Sequence, residues 1–509
     1  MSVPMSVVFR ADASARLGSG HVTRCASLAS ALRTLGARCL FLCRELDGHL
    51  LGWLAEQGFE AAALPAGSQG ERPWSVDWEA DARHTLEAIR RHGGHADWLV
   101  VDHYGLDARW ESRLRPVAGR LLAIDDLADR PHDVDALVDQ NLQDREGRYH
   151  GLLPAQGKAL LGPRHALLRP QFAQAAARRR QCQEEAASPD RLLACMGGTD
   201  PHDVLSTVLA AWSRLPTPRP ALDIAVGRNS PNAQALGEAC ARHPGARFHL
   251  QAPDMAGLMA QADLAICSAG GISWERCCAG LPAIMGTTAD NQAMNLQRLR
   301  RERTGLSVGR WQDLDAGALH ALLARALRRP ALLRRMGARA QRLVDGRGAE
   351  RVAAFMMAGR LALRPARLED AARVWPWRNA ESTRRHFFNP RPVPLPGHTA
   401  WWESSLADPA RSLLLAWIGE LPVGVLRLDH ADNDIATVSL YVDPALTGLG
   451  LGPAMLRAAQ AWGSGPAAAR RPARLAADIL PANAASIASF EAAGFVRSGG
   501  RWTWEHPAP

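Results

Sequence analysis

The sequence predicts an α/β protein in which two doubly wound parallel sheets are followed by a smaller, mixed α/β domain. Short apolar runs alternate with helix-like segments from Met5 to about Pro170, and a second series of this kind starts at Arg191. The texture changes near residue 360, because eight of the 16 tryptophans lie in 361–509 and all nine cysteines lie before residue 279. A chain of 509 residues has room for about three domains of roughly 150 residues. We therefore expect domains over 1–175, 188–355 and 361–509.

The charge and hydropathy patterns exclude several classes of protein. The formal net charge is +9, but Lys158 is the only lysine, and the arginines are scattered through amphipathic segments rather than clustered with aromatic residues. We expect no nucleic-acid partner, and a phosphate-binding loop of the type GxxxxGK[ST] cannot exist. No apolar run approaches the ~20 residues that span a bilayer, and no signal peptide is visible. We expect no membrane insertion and a cytoplasmic location.

The cysteines are not spaced as a metal site or a disulfide framework. None forms a CxxC pair, and Cys277 and Cys278 are adjacent. We expect them to be small buried hydrophobic residues in a reducing compartment.

A glycine turn follows the first predicted strand, "SVVFR". It contains Gly18, Ser19 and Gly20, and His21 opens the next predicted helix. In an open parallel sheet, ligands bind at the carboxyl ends of the strands, and glycines let the backbone approach a phosphate or a sugar. Histidine titrates near neutral pH and suits a general base. A capping or buried histidine is the alternative, and the spacing alone does not decide between them.

Three loops of the second predicted domain could hold a nucleotide, because each follows a predicted strand and carries glycine or polar residues. Their candidate binding residues are Gly198, Thr199, Ser268, Gly270, Gly271, Glu275, Asn291 and Gln292. Glycine loops can cradle a diphosphate, and a carboxylate such as Glu275, in the first turns of a helix, can accept two ribose hydroxyls. For Glu275 alone, the alternative is that its negative charge only stabilises the N-terminus of its own helix through the helix dipole.

These segments resemble known families. "SAGGISWERCCAGLP", followed by "DNQ", resembles the nucleotide-binding half of the GT-B glycosyltransferases, especially the transferase that makes lipid II. "RADASARLGSGHVTRCASLASAL" and "VVDHYGLD" resemble a hydrolase branch of that fold, the UDP-2,4-diacetamido-2,4,6-trideoxy-β-L-altropyranose hydrolases of pseudaminic acid biosynthesis. The resemblance covers roughly residues 5–355 and implies two Rossmann-like domains, with UDP in the second and Glu275 on the ribose. It also implies that His21 activates the water that attacks the anomeric carbon, with inversion, and that a nearby carboxylate such as Asp12 orients the histidine or the sugar.

The last domain resembles the GNAT acetyltransferases over about residues 361–509. "LTGLGLGPAML" fits their loop Gln/Arg-x-x-Gly-x-Gly/Ala, in which successive backbone N–H groups would hold the pyrophosphate of coenzyme A, and "NAASIASFEAAGF" matches a helix that follows it. The resemblance implies that acetyl-CoA binds at Leu440, Val442, Thr447, Gly448, Gly450, Leu451, Gly452 and Asn483. Thr447 replaces the family's Arg or Gln, and Phe490 stands where a tyrosine acid is frequent. Tyr441, on the preceding strand, is either a substitute acid or a packing residue.

The two resemblances imply neighbouring steps of one pathway. Pseudaminic acid synthesis includes 4-N-acetylation of a UDP-4-amino-4,6-dideoxy sugar and a later removal of UDP, so we expect a bifunctional enzyme that takes a UDP-sugar and acetyl-CoA. UDP is a good leaving group, and we expect no metal. Two alternatives stay open: a GT-B glycosyltransferase fused to an acetyltransferase, and a catalytically silent nucleotide-sugar sensor.

Overall fold

The computed structural model describes residues 3–67, 74–142, 147–182, 189–198, 200–227, 230–430, 435–462 and 472–505. By its internal contacts the chain divides into two compact units. One comprises residues 1–33 and 37–350, and the other comprises 34–36 and 351–509.

The first unit begins with a seven-stranded parallel sheet in the order β3-β2-β1-β4-β5-β6-β7. Its strands are β1 Ser6–Ala11, β2 Arg38–Arg44, β3 Glu60–Leu64, β4 Ala96–Asp102, β5 Ala118–Ile124, β6 Ala136–Asp139 and β7 Lys158–Leu161, and its helices are α1 Gly20–Thr34, α2 Leu51–Glu56, α3 Trp78–Arg91 and α4 Ala108–Leu114. The central strands are apolar and buried, as parallel strands covered on both faces are. The strand order reverses between β1 and β4, so the carboxyl ends of these two strands form the crevice in which such sheets bind ligands.

A six-stranded parallel sheet follows, in the order β10-β9-β8-β11-β12-β13. Its strands are β8 Arg191–Cys195, β9 Ala221–Val226, β10 Ala246–Leu250, β11 Leu264–Ser268, β12 Ala283–Thr287 and β13 Gly305–Arg310. The accompanying helices are α5 Pro170–Cys182, α6 Val204–Ser213, α7 Ala233–Ala241, α8 Met255–Gln261, α9 Ile272–Cys278, α10 Ala293–Arg301, α11 Ala316–Leu327 and α12 Pro330–Leu343. Here the order reverses between β8 and β11. A further helix, α13 Gly348–Met356, begins in the last residues of the first unit and continues into the second. Phe172 and Ala175 of α5, at the end of the range 1–175, pack into the core of this second sheet.

The second unit holds a mixed sheet in the order β14-β15-β16-β17-β18-β20-β19. Its strands are β14 Ala362–Pro365, β15 Arg411–Ile418, β16 Leu421–His430, β17 Ile435–Val442, β18 Arg474–Ala477, β19 Val496–Ser498 and β20 Arg501–Glu505, and its helices are α14 Asp370–Asn379, α15 Glu381–Arg384, α16 Leu395–Ala407, α17 Leu451–Trp462 and α18 Ala484–Ala492. β17 pairs with β16 from Ala436 to Val442, but it pairs with the parallel β18 only from Ile435 to Thr437. The two strands therefore part beyond Thr437.

In the part of the chain that the structure describes, no helix is long and apolar enough to cross a membrane. Apart from Cys182, whose side chain is not described, the cysteines are free thiols, and seven of these eight are buried.

Candidate active site

His21 lies in the first turn of α1, at the reversal of strand order between β1 and β4. Its Nδ1 is 2.6 Å from Oδ1 of Asp102, the last residue of β4. An ionised carboxylate only accepts hydrogen bonds, so Nδ1 carries the proton of the neutral ring, and Nε2 is the nitrogen that can accept one. The Tyr104 ring packs edge-on against the imidazole, with 4.8 Å between the ring centres. This geometry would suit a histidine that acts as an oriented general base.

Asp102 is fully buried and is shared by His21 and Arg24. Arg24 Nε lies 2.5 Å from Oδ2, and Arg24 Nη2 lies 2.6 Å from Oδ1. Burial alone would raise the pKa of Asp102, but the charge of Arg24 and the hydrogen bonds from Arg24 and His21 hold it well below its usual range. Asp102 is therefore ionised at neutral pH and fixes the tautomer of His21.

The carboxylate in contact with His21 is Asp102, whereas the resemblance implied that Asp12 orients either the histidine or the sugar. Asp12 is buried, and its oxygens accept from Arg10 at 2.7 and 2.9 Å and from Arg44 Nε at 2.7 Å. These contacts tie the carboxyl end of β1 to that of β2 and leave Asp12 without a described contact to His21. The signal for Asp102 was present in "DWLVVD", an apolar strand that ends in an acid beside β1.

The glycine turn approaches the first loop of the second sheet. Gly18 has φ +76°, which favours glycine, and its N–H donates to the carbonyl of Ser14. A Cβ on Gly198 would lie 3.5 Å from Ser19 Oγ, and a Cβ on Gly227 would lie 2.0 Å from the carbonyl oxygen of Gly198. The structure therefore brings Ser19 and Gly198 together, whereas Thr199 lies outside the described residues.

Two further loops of the second sheet also meet. Ser268 ends β11, and a Cβ on Gly270 would lie 3.4 Å from Gln292 Nε2 and 3.8 Å from Ser268 Oγ. Gln292 Oε1 accepts from the N–H of Thr288 at 3.0 Å. The remaining candidates, Gly271 and Asn291, lie on the same loops and are exposed.

Glu275 lies in α9, behind the loop that contains Gly270. Burial raises its pKa to about 7, and the charge of Arg169 opposes that rise. Its carboxylate has no hydrogen-bond partner among the described residues. A carboxylate without a protein partner beside this loop can accept hydrogen bonds from hydroxyl groups of a ligand.

In the second unit, the loop that precedes α17 leaves its backbone open. Gly448 and Gly450 have φ of +81° and +75°, and a Cβ on either would meet no atom within 4 Å. Leu451 follows as the first residue of α17. Thr447 Oγ1 donates to the carbonyl of Pro444 at 3.1 Å. The loop has the shape expected of a backbone cradle for phosphates.

Two residues of the predicted acetyl-CoA set have packing or capping contacts. A Cβ on Gly452 would lie 2.9 Å from Ser489 Oγ, so this glycine lets α17 approach α18. Asn483 Oδ1 accepts from the N–H of Ser486 at 3.1 Å and caps α18. Leu440 and Val442 lie where β17 has parted from β18.

The face formed by α14, α16 and β16 contains polar atoms that the sequence did not single out. Arg378 Nη1, His398 Nε2 and Arg427 Nε are buried and have no partner, three of eight such side-chain atoms in the described residues. The Arg378 guanidinium lies 3.9 Å from the centre of the Phe387 ring. Phe387 in turn packs against Tyr441, which borders the apolar cluster of this face. Nitrogens without partners beside aromatic rings are suited to binding a polar ligand.

Comparisons with known proteins agree with this division. Residues 360–496 match the acetyltransferase (GNAT) domain family. The chain is 27% identical over 270 residues to the UDP-2,4-diacetamido-2,4,6-trideoxy-beta-L-altropyranose hydrolase of Campylobacter jejuni subsp. jejuni serotype O:2, covering 53% of this chain and 86% of that protein. It is 29% identical over 197 residues to the spore coat polysaccharide biosynthesis protein SpsG of Bacillus subtilis (strain 168), covering 38% of this chain and 57% of that protein.

The crystal structure of MurG from Acinetobacter baumannii has the same fold as the first unit, with a TM-score of 0.50 and 17% identity over 69% of this chain and 99% of that one. The predicted fold class is confirmed: two Rossmann-like domains of the GT-B kind precede a mixed-sheet GNAT domain. The chain is an enzyme that joins a part homologous to a sugar-nucleotide hydrolase to an acetyltransferase domain.

Proposed function

From that combination, we propose that the chain performs two steps on UDP-sugars of pseudaminic acid biosynthesis. The GNAT domain transfers acetyl from acetyl-CoA to the 4-amino group of a UDP-4-amino-4,6-dideoxy sugar. The first unit hydrolyses UDP-2,4-diacetamido-2,4,6-trideoxy-β-L-altropyranose to UDP and the free sugar. The observation that carries the hydrolysis is the His21–Asp102 pair, which fixes a base at the reversal of strand order in the first sheet.

In the hydrolysis, His21 Nε2 takes a proton from water while the water oxygen bonds to the anomeric carbon. The bond between that carbon and the diphosphate oxygen breaks, and UDP leaves with the electron pair, which inverts the configuration at the anomeric carbon. Ser19 and Gly198 approach each other beside His21. The nucleotide-sugar is held by the turn Gly18–Gly20 and by the loops around Gly198, Ser268 and Gln292. Glu275 accepts hydrogen bonds from the ribose hydroxyls. No metal is needed for this departure.

In the acetyl transfer, the N–H groups from Gly448 to Gly452 receive the pyrophosphate of acetyl-CoA. The pantetheine arm follows β17 past Leu440 and Val442, where β17 has parted from β18 and its edge is open. The amine nitrogen bonds to the thioester carbon and gives up one proton to water, the carbon–sulfur bond breaks, and the departing coenzyme A thiolate takes a proton from water. The unpartnered nitrogens of Arg378 and His398 support acceptor binding on the face formed by α14, α16 and β16.

The test is mass spectrometry on the purified chain with acetyl-CoA and a panel of UDP-4-amino sugars. Acetylation of one member, and release of UDP from a diacetamido sugar, would support both steps. In isotopically labelled water, the label should enter the free sugar and not the phosphate of UDP. A glycoside product with an added acceptor sugar would instead favour a glycosyltransferase, and no turnover of any UDP-sugar would favour a sensor.

Glu275→Gln is expected to weaken UDP binding about 10- to 100-fold, because a charge-assisted hydrogen bond contributes about 1.5–3 kcal/mol. With a pKa of about 7, wild-type Glu275 loses its charge on acidification, so UDP affinity should fall from pH 8 to pH 6 more steeply than in the variant. Calorimetry at several pH values measures both effects. Equal affinities at pH 8 would contradict the ribose role.

The same substitution is expected to stabilise the fold at pH 8. A carboxyl group whose folded pKa is raised from 4.5 to about 7 stabilises the protein fully below pH 4.5, and this contribution is lost as pH rises through 7. The amide carries no charge to desolvate. Thermal melts at pH 8 and near pH 5 should therefore show a gain for the variant only at the higher pH.

Tyr441→Phe is expected to lower kcat of acetyl transfer by less than roughly 10²-fold, the minimum typical of a positioned acid. Tyr441 packs against the cluster around Trp402 and Val425, and burial raises the pKa of its hydroxyl well above the usual range. Thiols have pKa values near 8.5, so water can protonate the departing thiolate. A larger fall in steady-state kcat with unchanged acetyl-CoA binding would make Tyr441 the acid.

A further inference from the structure

Arg24 lies one helical turn after His21 on α1, and both side chains contact the same carboxylate. Asp102 Oδ1 accepts from His21 Nδ1 and also from Arg24 Nη2. These two nitrogens are 3.3 Å apart. A guanidinium has donors only, so when Nδ1 carries hydrogen the approach is not a hydrogen bond and places a fixed positive charge against the ring.

We propose that Arg24 is a positioning residue: by pairing with Asp102 it partly neutralises that carboxylate and so keeps His21 available as a base at neutral pH. This role rests on the proposed hydrolysis. With Arg24 present, the imidazole faces an ion pair instead of a lone buried carboxylate. Asp102 then orients the ring through Nδ1 while its charge is paired with that of Arg24. Without Arg24, the carboxylate would favour the imidazolium form, which cannot accept a proton from water.

The other groups around His21 agree with this role. Asp126, after β5, lies 3.3 Å from Arg24 Nη1, so Arg24 also compensates a second carboxylate. Cys25 Sγ donates to Asp102 Oδ2 at 3.7 Å, and Tyr104 packs edge-on against the ring. Burial raises the pKa of both Cys25 and Tyr104 well above their usual values, so neither carries charge near pH 7. Arg24 is the one fixed positive charge among these neighbours.

Two variants separate charge from geometry. Arg24→Gln removes the charge, whereas Arg24→Lys keeps it but loses the forked contact with Asp102. For the full wild-type chain and both variants, the rate of UDP release from the diacetamido sugar is measured from about pH 5 to pH 9, and UDP binding is measured by calorimetry. For Arg24→Gln, we expect the acid limb of kcat to move upward by about one pH unit or more, with activity recovering at high pH. For Arg24→Lys, we expect a lower kcat with the limb near its wild-type position.

Each outcome decides the matter. If Arg24→Gln lowers kcat by the same factor at every pH, the contact of Arg24 is merely structural and the proposal is overturned. An acid limb displaced as far in Arg24→Lys as in Arg24→Gln would also overturn it, because the charge would then be irrelevant. If the wild-type chain releases UDP from no sugar in the panel, the proposed hydrolysis itself fails. If the wild type hydrolyses and the profiles do not separate, only the role of Arg24 fails.

Discussion

His21→Ala is expected to lower the rate of UDP release 10²–10⁴-fold, which is the usual contribution of a general base, and to leave acetyl transfer unchanged. The imidazole is the one group on the described glycine turn whose free nitrogen can take a proton from water, and its other nitrogen is held by Asp102 at 2.6 Å. Nothing in the proposed nucleotide contacts depends on this ring. KM for the UDP-sugar should therefore change much less than kcat.

The measurement is steady-state UDP release alongside acetyl transfer on the same preparation. His92→Ala is a matched control, since His92 is exposed at the end of α3 and its ring contacts the carbonyl of Ala88. Near-wild-type UDP release by His21→Ala would refute the assignment of the base. Equal loss of both activities would indicate damage to the fold instead.

The parts of the fold that follow from local pattern were predictable. Strand–loop–helix alternation and the glycine loops gave both parallel sheets, because parallel strands covered on both faces read as apolar runs. The position of His21 also followed, since the first residues of a helix after a central strand lie at the binding edge of the sheet. The glycine-rich loop before α17 could also be predicted from the sequence, because glycine is the residue that most readily adopts the positive φ values found at Gly448 and Gly450.

The pairing of side chains distant in sequence could not be read from spacing. Asp12 follows one apolar strand and Asp102 ends another, and only the folded structure shows that Asp102 contacts His21 while Asp12 pairs with Arg10 and Arg44. The three unpartnered nitrogens of Arg378, His398 and Arg427 were equally hidden, because they come from three different elements. The capping contact of Asn483 on its own helix was equally absent from the sequence expectation, which placed this residue at acetyl-CoA.

Asp102→Asn is expected to reduce UDP release at least 10²-fold and to destabilise the first unit. Donors from His21 and Arg24 converge on the two carboxylate oxygens, so an amide would place its own N–H₂ against one of them. If the ring nitrogen loses its acceptor, the tautomer with hydrogen on Nε2 becomes accessible, and that tautomer cannot serve as the base. The charge of Arg24 would also lose its main partner, and breaking a buried ion pair costs about 3–5 kcal/mol. Asp126, 3.3 Å from Arg24, should reduce that loss.

Asp12→Asn separates the two effects, because Asp12 is a buried carboxylate on the neighbouring strand that pairs with arginines and has no described contact with His21. It should lower the melting temperature yet retain most of kcat at a temperature where the protein is folded. The decisive measurement is the double variant His21→Ala/Asp102→Asn. If Asp102 acts through His21, the double variant should release UDP no more slowly than His21→Ala alone, since residues that act as a unit are not additive. A further fall in rate, in a folded double variant that still binds UDP, would mean that Asp102 contacts the substrate independently of the histidine.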